Sequence, residues 1–531
     1  MRYIEHSSSL TLSETKTQTK IDLYIQFFLH SNPERNKEIK TCLKYNALNP
    51  YINKIYLLNE KIYNYEELGV ENDKIIQIPI GNRLKYTDVF YWVNLAQLLP
   101  DFEPGYIILA NADIFFDDTL ENVLKSDMNE KPIMMCQLRY DYDGSPTGIK
   151  IFGPRADSQD AWIWHSNWNN KLIKNKAFNF ELGQPGCDNH ITYLFKICGF
   201  SLVNDPQLVH CLHYHKTQIR NYTAKDSIKP PYFLLTPKDA FVKQQKDISF
   251  EDNEVLYNYI REKRNKSFII PRVAGIENIS AYNSIYSKAP IKYNVLKNNA
   301  GLKISTEKSM KKYAVGYYNS FDNCEMYSGW SKHNEDNVYA GLNVSQDIIQ
   351  DKLQKDKKKI WAHALDVFEY INYTPWTLAL EGKRLLIISS FVESFKTKLS
   401  VLDKIYGREI FKNNTFVFIK PPSLAGENVS EEWDIELNKF KLELDNLKEE
   451  YDVALVSCGG LGNLVCNYIY TSGKQAIYVG GTLQMLFGVY GSRWLIERPS
   501  IIKMYLNEHW SRPMESERPA GWKAIEGSCY W

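Results

Sequence analysis

Strand-length apolar runs separated by charged, helix-like stretches recur in two series along this chain, and that alternation restricts the fold more than any other feature. The first series is IDLYIQFFLH (21–30), INKIYLLNE (52–60), DKIIQIPI (73–80) and GYIILANADIFFD (105–117). Between them, residues 33–48 are charged and helix-like, and 85–99 carry Val89, Phe90, Val93, Ala96 and Leu99 near helical spacing. PIMMCQLRY (132–140) and AWIWH (161–165) read as further strands of the same sheet. The second series is GKRLLIIS (382–389), YDVALVSC (451–458) and KQAIYVGG (474–481). A helix announced by Ser430, with Trp433, Leu437, Phe440, Leu444 and Leu447 on one face, precedes the last two. Strands alternating with helices predict an α/β fold: mostly parallel sheets covered by helices, here as two Rossmann-like domains.

A chain of 531 residues exceeds one hydrophobic core. The expected division is a flexible N-terminus at 1–20, a first domain at 21–240, a basic helical connector at 241–300 and a second domain at 301–531. With 64 Lys+Arg against 63 Asp+Glu the net charge is +1, which argues against a dedicated nucleic-acid binder. At 44% hydrophobic and 14% aromatic, the chain is not a long disordered one. The 36 tyrosines suggest sugar stacking, but AT-rich coding favours the same residues, so composition alone marks no carbohydrate binder. No apolar run reaches the ~18–20 residues of a transmembrane span, and the polar start lacks a signal-peptide core. Nine scattered cysteines without paired CxxC spacing fit a reducing, cytoplasmic location. The balanced charge is an average: residues 101–150 hold 10 acids and 4 bases, whereas 201–300, with Lys216 and Arg220 near its start, hold 15 bases and 9 acids, which reads as two complementary local fields.

Open α/β sheets place ligands at the carboxyl ends of their strands. Asn111-Ala112-Asp113 stands there, and strand alternation puts 111 and 113 on one side. A carboxylate at that point can hold Mg²⁺ or Mn²⁺ against a diphosphate, and an amide can reach a ribose hydroxyl; a plain turn residue is the alternative. Four of the ten histidines, His190, His210, His213 and His215, fall within 26 residues. An ion held by Asp113 and one of them is chemically sensible. The turn Gly183–Asn189 exposes Asp188 at a helix start, either as an N-cap or as a reacting carboxylate. A structural zinc site using Cys187, Cys211 and histidines is a third reading, without standard spacing.

This segment resembles a group of GT-A-type glycosyltransferases of polysaccharide biosynthesis. Five blocks carry the resemblance in order: Arg83-Leu84-Lys85-Tyr86-Thr87-Asp88-Val89-Phe90, Asn111–Asp117, Gln159-Asp160-Ala161-Trp162, Gly183–Asn189 and His213-Tyr214-His215. They span about residues 20–240. The resemblance implies a nucleotide-sugar donor, a glycan or glycolipid acceptor, and Mn²⁺ or Mg²⁺. By position Asp113 matches the second acid of the Asp-x-Asp motif, and His213 or His215 the third ligand; Asn111 departs from Asp at the first position. Arg83, Asp88, Asn111 and Asp113 are the donor-side candidates. Asp188, then Asp160, is the candidate base for an inverting transfer.

In the second half, Cys458-Gly459-Gly460-Leu461-Gly462-Asn463 and Gly480–Gly488 are glycine-rich strand ends that either admit a phosphate or simply turn tightly. Pro375-Trp376-Thr377, Gly382-Lys383-Arg384, Gly480–Trp494 and Glu526–Trp531 resemble a domain of bacterial and giant-virus polysaccharide loci, similar in layout to GT-D glycosyltransferases. This implies donor contacts from Gly459, Gly460, Gly480, Gly481, Gln484 and Arg493. It implies a metal contact from Glu325, although Asp322-Asn323-Cys324-Glu325 has one residue too many for the Asp-x-Glu motif. The ending Cys529-Tyr530-Trp531 predicts a tail that packs back onto the domain. The expected protein is a bifunctional glycosyltransferase, with a non-catalytic second half or a decayed sugar-nucleotide binder as alternatives; a homo-oligomer is compatible with it.

Overall fold

In the computed structural model, β1 (Ile21–Ile25), β2 (Ile52–Asn59), β3 (Ile75–Pro79) and β4 (Tyr106–Ala110) are the parallel strands that the first apolar runs announce. The structure describes residues 20–531 apart from 101, 146, 218, 220–222, 239–249, 288, 331–344, 346, 350–356 and 526–527. Residues 1–19 of the expected flexible N-terminus, Arg220, and Glu526 and Gly527 of the terminal block lie outside the described residues. The chain forms two compact units, Met1–Gln244 and Gln245–Trp531. Among the described residues, no helix is long and apolar enough to cross a membrane.

The first unit continues with β5 (Ile114–Phe116), β6 (Ile133–Gln137), β7 (Arg139–Tyr142), β8 (Ile149–Ile151), β9 (Ala161–His165), β10 (Ser201–Val203) and β11 (Cys211–His213). Its main sheet has the order β10-β6-β9-β4-β1-β2-β3, with β9 antiparallel to both neighbours. A smaller sheet, β5-β11-β7-β8, stands beside it. The run 105–117 is therefore two strands in two sheets. Asn111-Ala112-Asp113 forms the turn between them, so Asn111 and Asp113 do not share a strand face. The run 132–140 divides in the same way at Leu138. Trp162 and Trp164 on β9 are fully buried, with Tyr86 and Phe90 edge-on against them.

Helix Pro33–Leu48 starts where Asn32 accepts hydrogen bonds from the Glu34 and Arg35 amides, with Pro33 in the first turn. Near its other end Asn46 clamps β5, donating to the Ile114 carbonyl at 2.8 Å and accepting from the Phe116 amide at 3.2 Å. The helix thus fixes the strand that follows Asp113.

The second unit contains β12 (Ile269–Ile270), β13 (Met326–Gly329), β14 (Lys358–Trp361), β15 (Arg384–Ser389), β16 (Thr415–Ile419), β17 (Val453–Ser457) and β18 (Gln475–Tyr478). The sheet β12-β18-β17-β15-β16 is parallel throughout. The parallel pair β13-β14 adjoins β12 through an Arg272–Ser328 bridge. The described part of the expected connector is built into this unit: Ile269 and Ile270 pair with β18, and Val273, Ala281, Leu296 and Ala300 lie in its core with Tyr313 and Tyr317. Charge obscured this in the sequence, because helix Asp252–Glu262 exposes Glu254, Arg261 and Glu262 while burying Leu256 and Ile260. The tail packs back as expected. Gln484 donates to the Tyr530 carbonyl at 3.1 Å, and Trp531 meets Phe391 edge-on.

Candidate functional site

Strand register assembles the first unit's site. β11 runs antiparallel to β5 with His213 opposite Ile114, and the Tyr214 amide donates to the Asp113 carbonyl at 2.9 Å. His213 and His215 therefore flank the Asp113 turn. On the other side β11 pairs parallel with β7, which places Asp141 beside His213.

The Asp113 Oδ2 atom is the centre. His213 Nε2 lies 3.2 Å from it, His215 Nδ1 3.5 Å, and Arg35 Nη2 2.5 Å. One ligand-type atom from each of Asp113, His213 and His215 lies within 4.8 Å of the others, the one such group of three among the described residues. Burial opposes charge on Asp113, but hydrogen bonds and charge from His213, His215 and Arg35 outweigh it and hold the carboxyl well below its usual range. For His213, burial favours the neutral ring; the Asp113 charge wins and lifts its pKa to about 9. Arg35 also pairs with Glu38 at 3.0 Å, and Glu38 accepts from the Thr217 amide and hydroxyl.

A second carboxylate pair adjoins this centre. Asp160 is buried, ion-paired with Arg139 at 3.0 Å, and accepts from Asn111 Nδ2 at 3.2 Å. Arg139 pairs with Asp141 as well, and Asp141 lies 3.3 Å from His213, so the two groups form one network. Asp188 stands at the start of helix Cys187–Ile197 behind Gly186, whose φ of +77° is left-handed. Burial, then the nearby Asp160 charge, pushes the Asp188 carboxyl up to about 6.

The structure thus brings Asn111, Asp113, Asp160, Asp188, His213 and His215 together. It places other sequence candidates apart. Asp88 caps helix Tyr86–Ala96 by accepting from the Lys85 amide at 2.9 Å. Arg83, half-exposed, pairs with Glu181 at 3.4 Å beside the Gly183 turn. His210 pairs with Asp117 at 2.8 Å, and His190 contacts the Pro231 carbonyl at 2.9 Å. Cys187 and Cys211, buried free thiols, lie outside the three-ligand group, against the zinc reading. Arg35, Glu38, Arg139 and Asp141 were not singled out in the sequence; Arg35 and Glu38 stand in the first two turns of a charged helix, where the sequence gives no sign of which side chains are buried.

In the second unit, Gly459 and Gly460 are occupied by the chain itself. A Cβ on Gly459 would lie 2.5 Å from the Ala300 carbonyl oxygen, and one on Gly460 2.3 Å from a Leu302 methyl. These glycines admit backbone and side chain rather than phosphate. Gln484 is buried between Tyr530 and Trp494, whose indole donates to it at 3.1 Å. Gly481 faces the Tyr530 ring, Gly480 faces Arg272, and Arg493 pairs with Glu497 at 2.8 Å. Glu325 is exposed and paired with Lys263 at 2.7 Å, outside any group of three ligand-type side chains among the described residues.

No protein-family model and no curated protein matches this sequence. Among solved structures, the chain is similar to GalNAc-T7 with UDP, GalNAc and Mn²⁺, at 11% identity and TM-score 0.29, covering 38% of this chain and 45% of that one. It is also similar to the mannosyltransferase PcManGT from Pyrobaculum calidifontis in complex with GDP-Man and Mn²⁺, at 9% identity and TM-score 0.27, covering 39% and 59%. TarS 1–349 of S. aureus, in complex with UDP-GlcNAc, matches at 12% identity and TM-score 0.23, covering 56% and 80%. The chain spans less than two thirds of the first two proteins. Similarity at this level decides neither the fold nor the reaction, which rest on the sheets and the site themselves.

Proposed function

We propose that this chain is a glycosyltransferase, moving a sugar from a nucleotide-sugar donor to a glycan acceptor in polysaccharide or surface-glycan synthesis, with metal-dependent chemistry in its first unit. The observation that carries this is the convergence of Asp113, His213 and His215 beside the Asp160–Asp188 pair, at the carboxyl end of β4. One carboxylate and two imidazoles suit Mn²⁺ better than Mg²⁺, which prefers oxygen ligands alone. When bound, the ion would stabilise the departing diphosphate as the sugar–phosphate bond breaks. Arg35 provides a fixed positive charge next to that position. Asp188, with its raised pKa, is suited to take a proton from an acceptor hydroxyl, whereas Asp160 is engaged by Arg139 and Asn111 and orients the network.

A screen of nucleotide sugars for Mn²⁺-dependent hydrolysis tests the reading. Asp113→Ala is expected to lose about 100-fold or more in turnover with its fold retained by circular dichroism. Unchanged turnover in that variant, or no turnover by the intact chain with any donor, contradicts it.

For the second unit, the ion pair of Glu325 with Lys263 and the self-filled Gly459–Gly460 turn favour a binding or assembly module over a second metal-dependent transferase. Donor hydrolysis that survives Asp113→Ala but is lost when Glu325→Gln is added would reverse that preference.

A further inference from the structure

The first unit holds a cavity of about 340 Å³ at the end of its sheet remote from Asp113, with Tyr106, Ser126, Asn129, His165 and Asn167 among its walls. Small-molecule sites usually occupy about 300–1,000 Å³. Tyr106 opens β4, His165 closes the antiparallel β9, and the register sets them opposite each other. Asn111 follows the other end of β4; at about 3.3 Å per residue it lies roughly 16 Å away along the strand. The cavity is therefore separate from the Asp113 cluster. Its walls are tied together. The Gly105 amide donates to Ser166 Oγ at 3.1 Å, the Trp168 indole to the Met128 carbonyl at 2.8 Å, and Asn167 Nδ2 to the Asn129 carbonyl at 3.2 Å.

His165 is the decisive side chain. It is 3% exposed, with the Tyr106 ring edge-on against it. Its Nδ1 accepts from the Asn167 amide at 3.3 Å, and burial lowers its pKa, so at pH 7 the ring is neutral and carries its proton on Nε2. That N–H has no acceptor among the described residues, and it is not sealed from the cavity the ring lines. A donor so nearly buried costs free energy when unpaired, and a ligand oxygen would recover it. The neighbouring groups complement it. The Tyr106 hydroxyl donates to the Ser126 carbonyl at 3.2 Å and keeps an accepting lone pair, and Asn167, with Nδ2 engaged, keeps Oδ1. The exposed Asn129 amide can donate and accept. Among the described residues no charged side chain lines the cavity, so a phosphate or carboxylate would find no cation there. A nucleobase would find no open ring face, because Tyr106 and His165 are both buried to their edges. Hydroxyl groups, each a donor and an acceptor, match this set, and Pro104 and Leu124 offer an apolar wall to the C–H face of a sugar ring.

We propose that the first unit carries a second, non-catalytic site for a neutral sugar residue at the amino end of β4, bound through His165, Tyr106, Asn129 and Asn167. The proposal rests on the glycan-synthesis reading only for the source of that residue, a glycan chain held away from the point of transfer.

The test is saturation-transfer NMR on the full chain, in EDTA, with the methyl glycosides of glucose, galactose, mannose, N-acetylglucosamine and N-acetylgalactosamine. Saturable binding of at least one is expected, weakened about fivefold or more by His165→Phe, which removes the N–H donor. Asn129→Arg, a change at an exposed position that fills the cavity, is expected to abolish binding and serves if His165→Phe does not fold; thermal melting establishes which variants are folded. Absence of saturable binding by every glycoside, or undiminished binding in the folded variants, overturns the proposal. Displacement of the bound glycoside by uridine at equal concentration also overturns it, since that would make the ligand a nucleoside. Mn²⁺-dependent donor hydrolysis, measured on the same variants, is expected to stay at the level of the unaltered chain. Sugar binding that depends on His165 without any donor hydrolysis would remove the transfer reading and leave this site standing; hydrolysis without such binding would do the reverse.

Discussion

Asp188 and Asp160 are two carboxylates in one environment with different partners, and that difference separates their proposed roles. Asp160 has Arg139 and Asn111; Asp188 has burial and the negative charge of Asp160, and its pKa rises to about 6. A base must be unprotonated, so turnover should climb as pH rises through about 6. Asp160→Asn removes the like charge and should move that limb to lower pH, though not back to the ordinary carboxylate value, since burial is the larger cause. A pH–rate profile of kcat/KM checks this, and a limb that stays in place or moves up excludes Asp188 as the base. At this scale the sequence was partly legible. Asp113, His213, His215 and Asp188 were named through the ordered motif blocks, since an acid at a strand or helix end alone reads equally as a turn residue or an N-cap. Arg35 could not, since an arginine in a charged helical stretch looks the same whether it faces solvent or a buried aspartate.

At the scale of elements, the site depends on turns. Gly186 adopts φ +77° to start the helix that presents Asp188, and a Cβ there would lie 2.8 Å from the Tyr232 hydroxyl. Gly186→Ala should cost about 1–2 kcal/mol from the left-handed backbone alone, with further loss from that contact. Urea unfolding measures it, and a change below a few tenths would show that the turn adapts. The apolar runs located β1–β4, β6, β9, β15, β17 and β18 to within a few residues, and the helices in 33–48 and 85–99 were legible from a charged stretch and from apolar spacing. The division of 105–117 between two sheets was not. Periodicity reports burial, and both β4 and β5 are fully buried; only the register with β11 shows that the chain changes sheets at Asn111–Asp113. The glycines of the second unit show the same limit, because a glycine that admits phosphate and one that admits Ala300 are identical in sequence.

For the whole molecule, the α/β class followed from alternation, but the boundary moved from 300 to between 244 and 245 because an amphipathic helix and a two-residue strand read as polar linker. The basic stretch 201–300 consequently straddles two units. Metal stoichiometry per chain now separates a bifunctional metalloenzyme from one metal site beside a metal-free module. Metal ligation needs neutral imidazole, and His213, with a pKa near 9, is protonated at pH 7; binding there must release a proton and strengthen as pH rises towards 9. The most direct measurement is Mn²⁺ titration of the full chain by calorimetry in two buffers of different ionisation enthalpy. One Mn²⁺ per chain is expected, bound with proton release and lost in both Asp113→Ala and His213→Ala. Undiminished Mn²⁺ binding in those variants, or none in the intact chain, would contradict it.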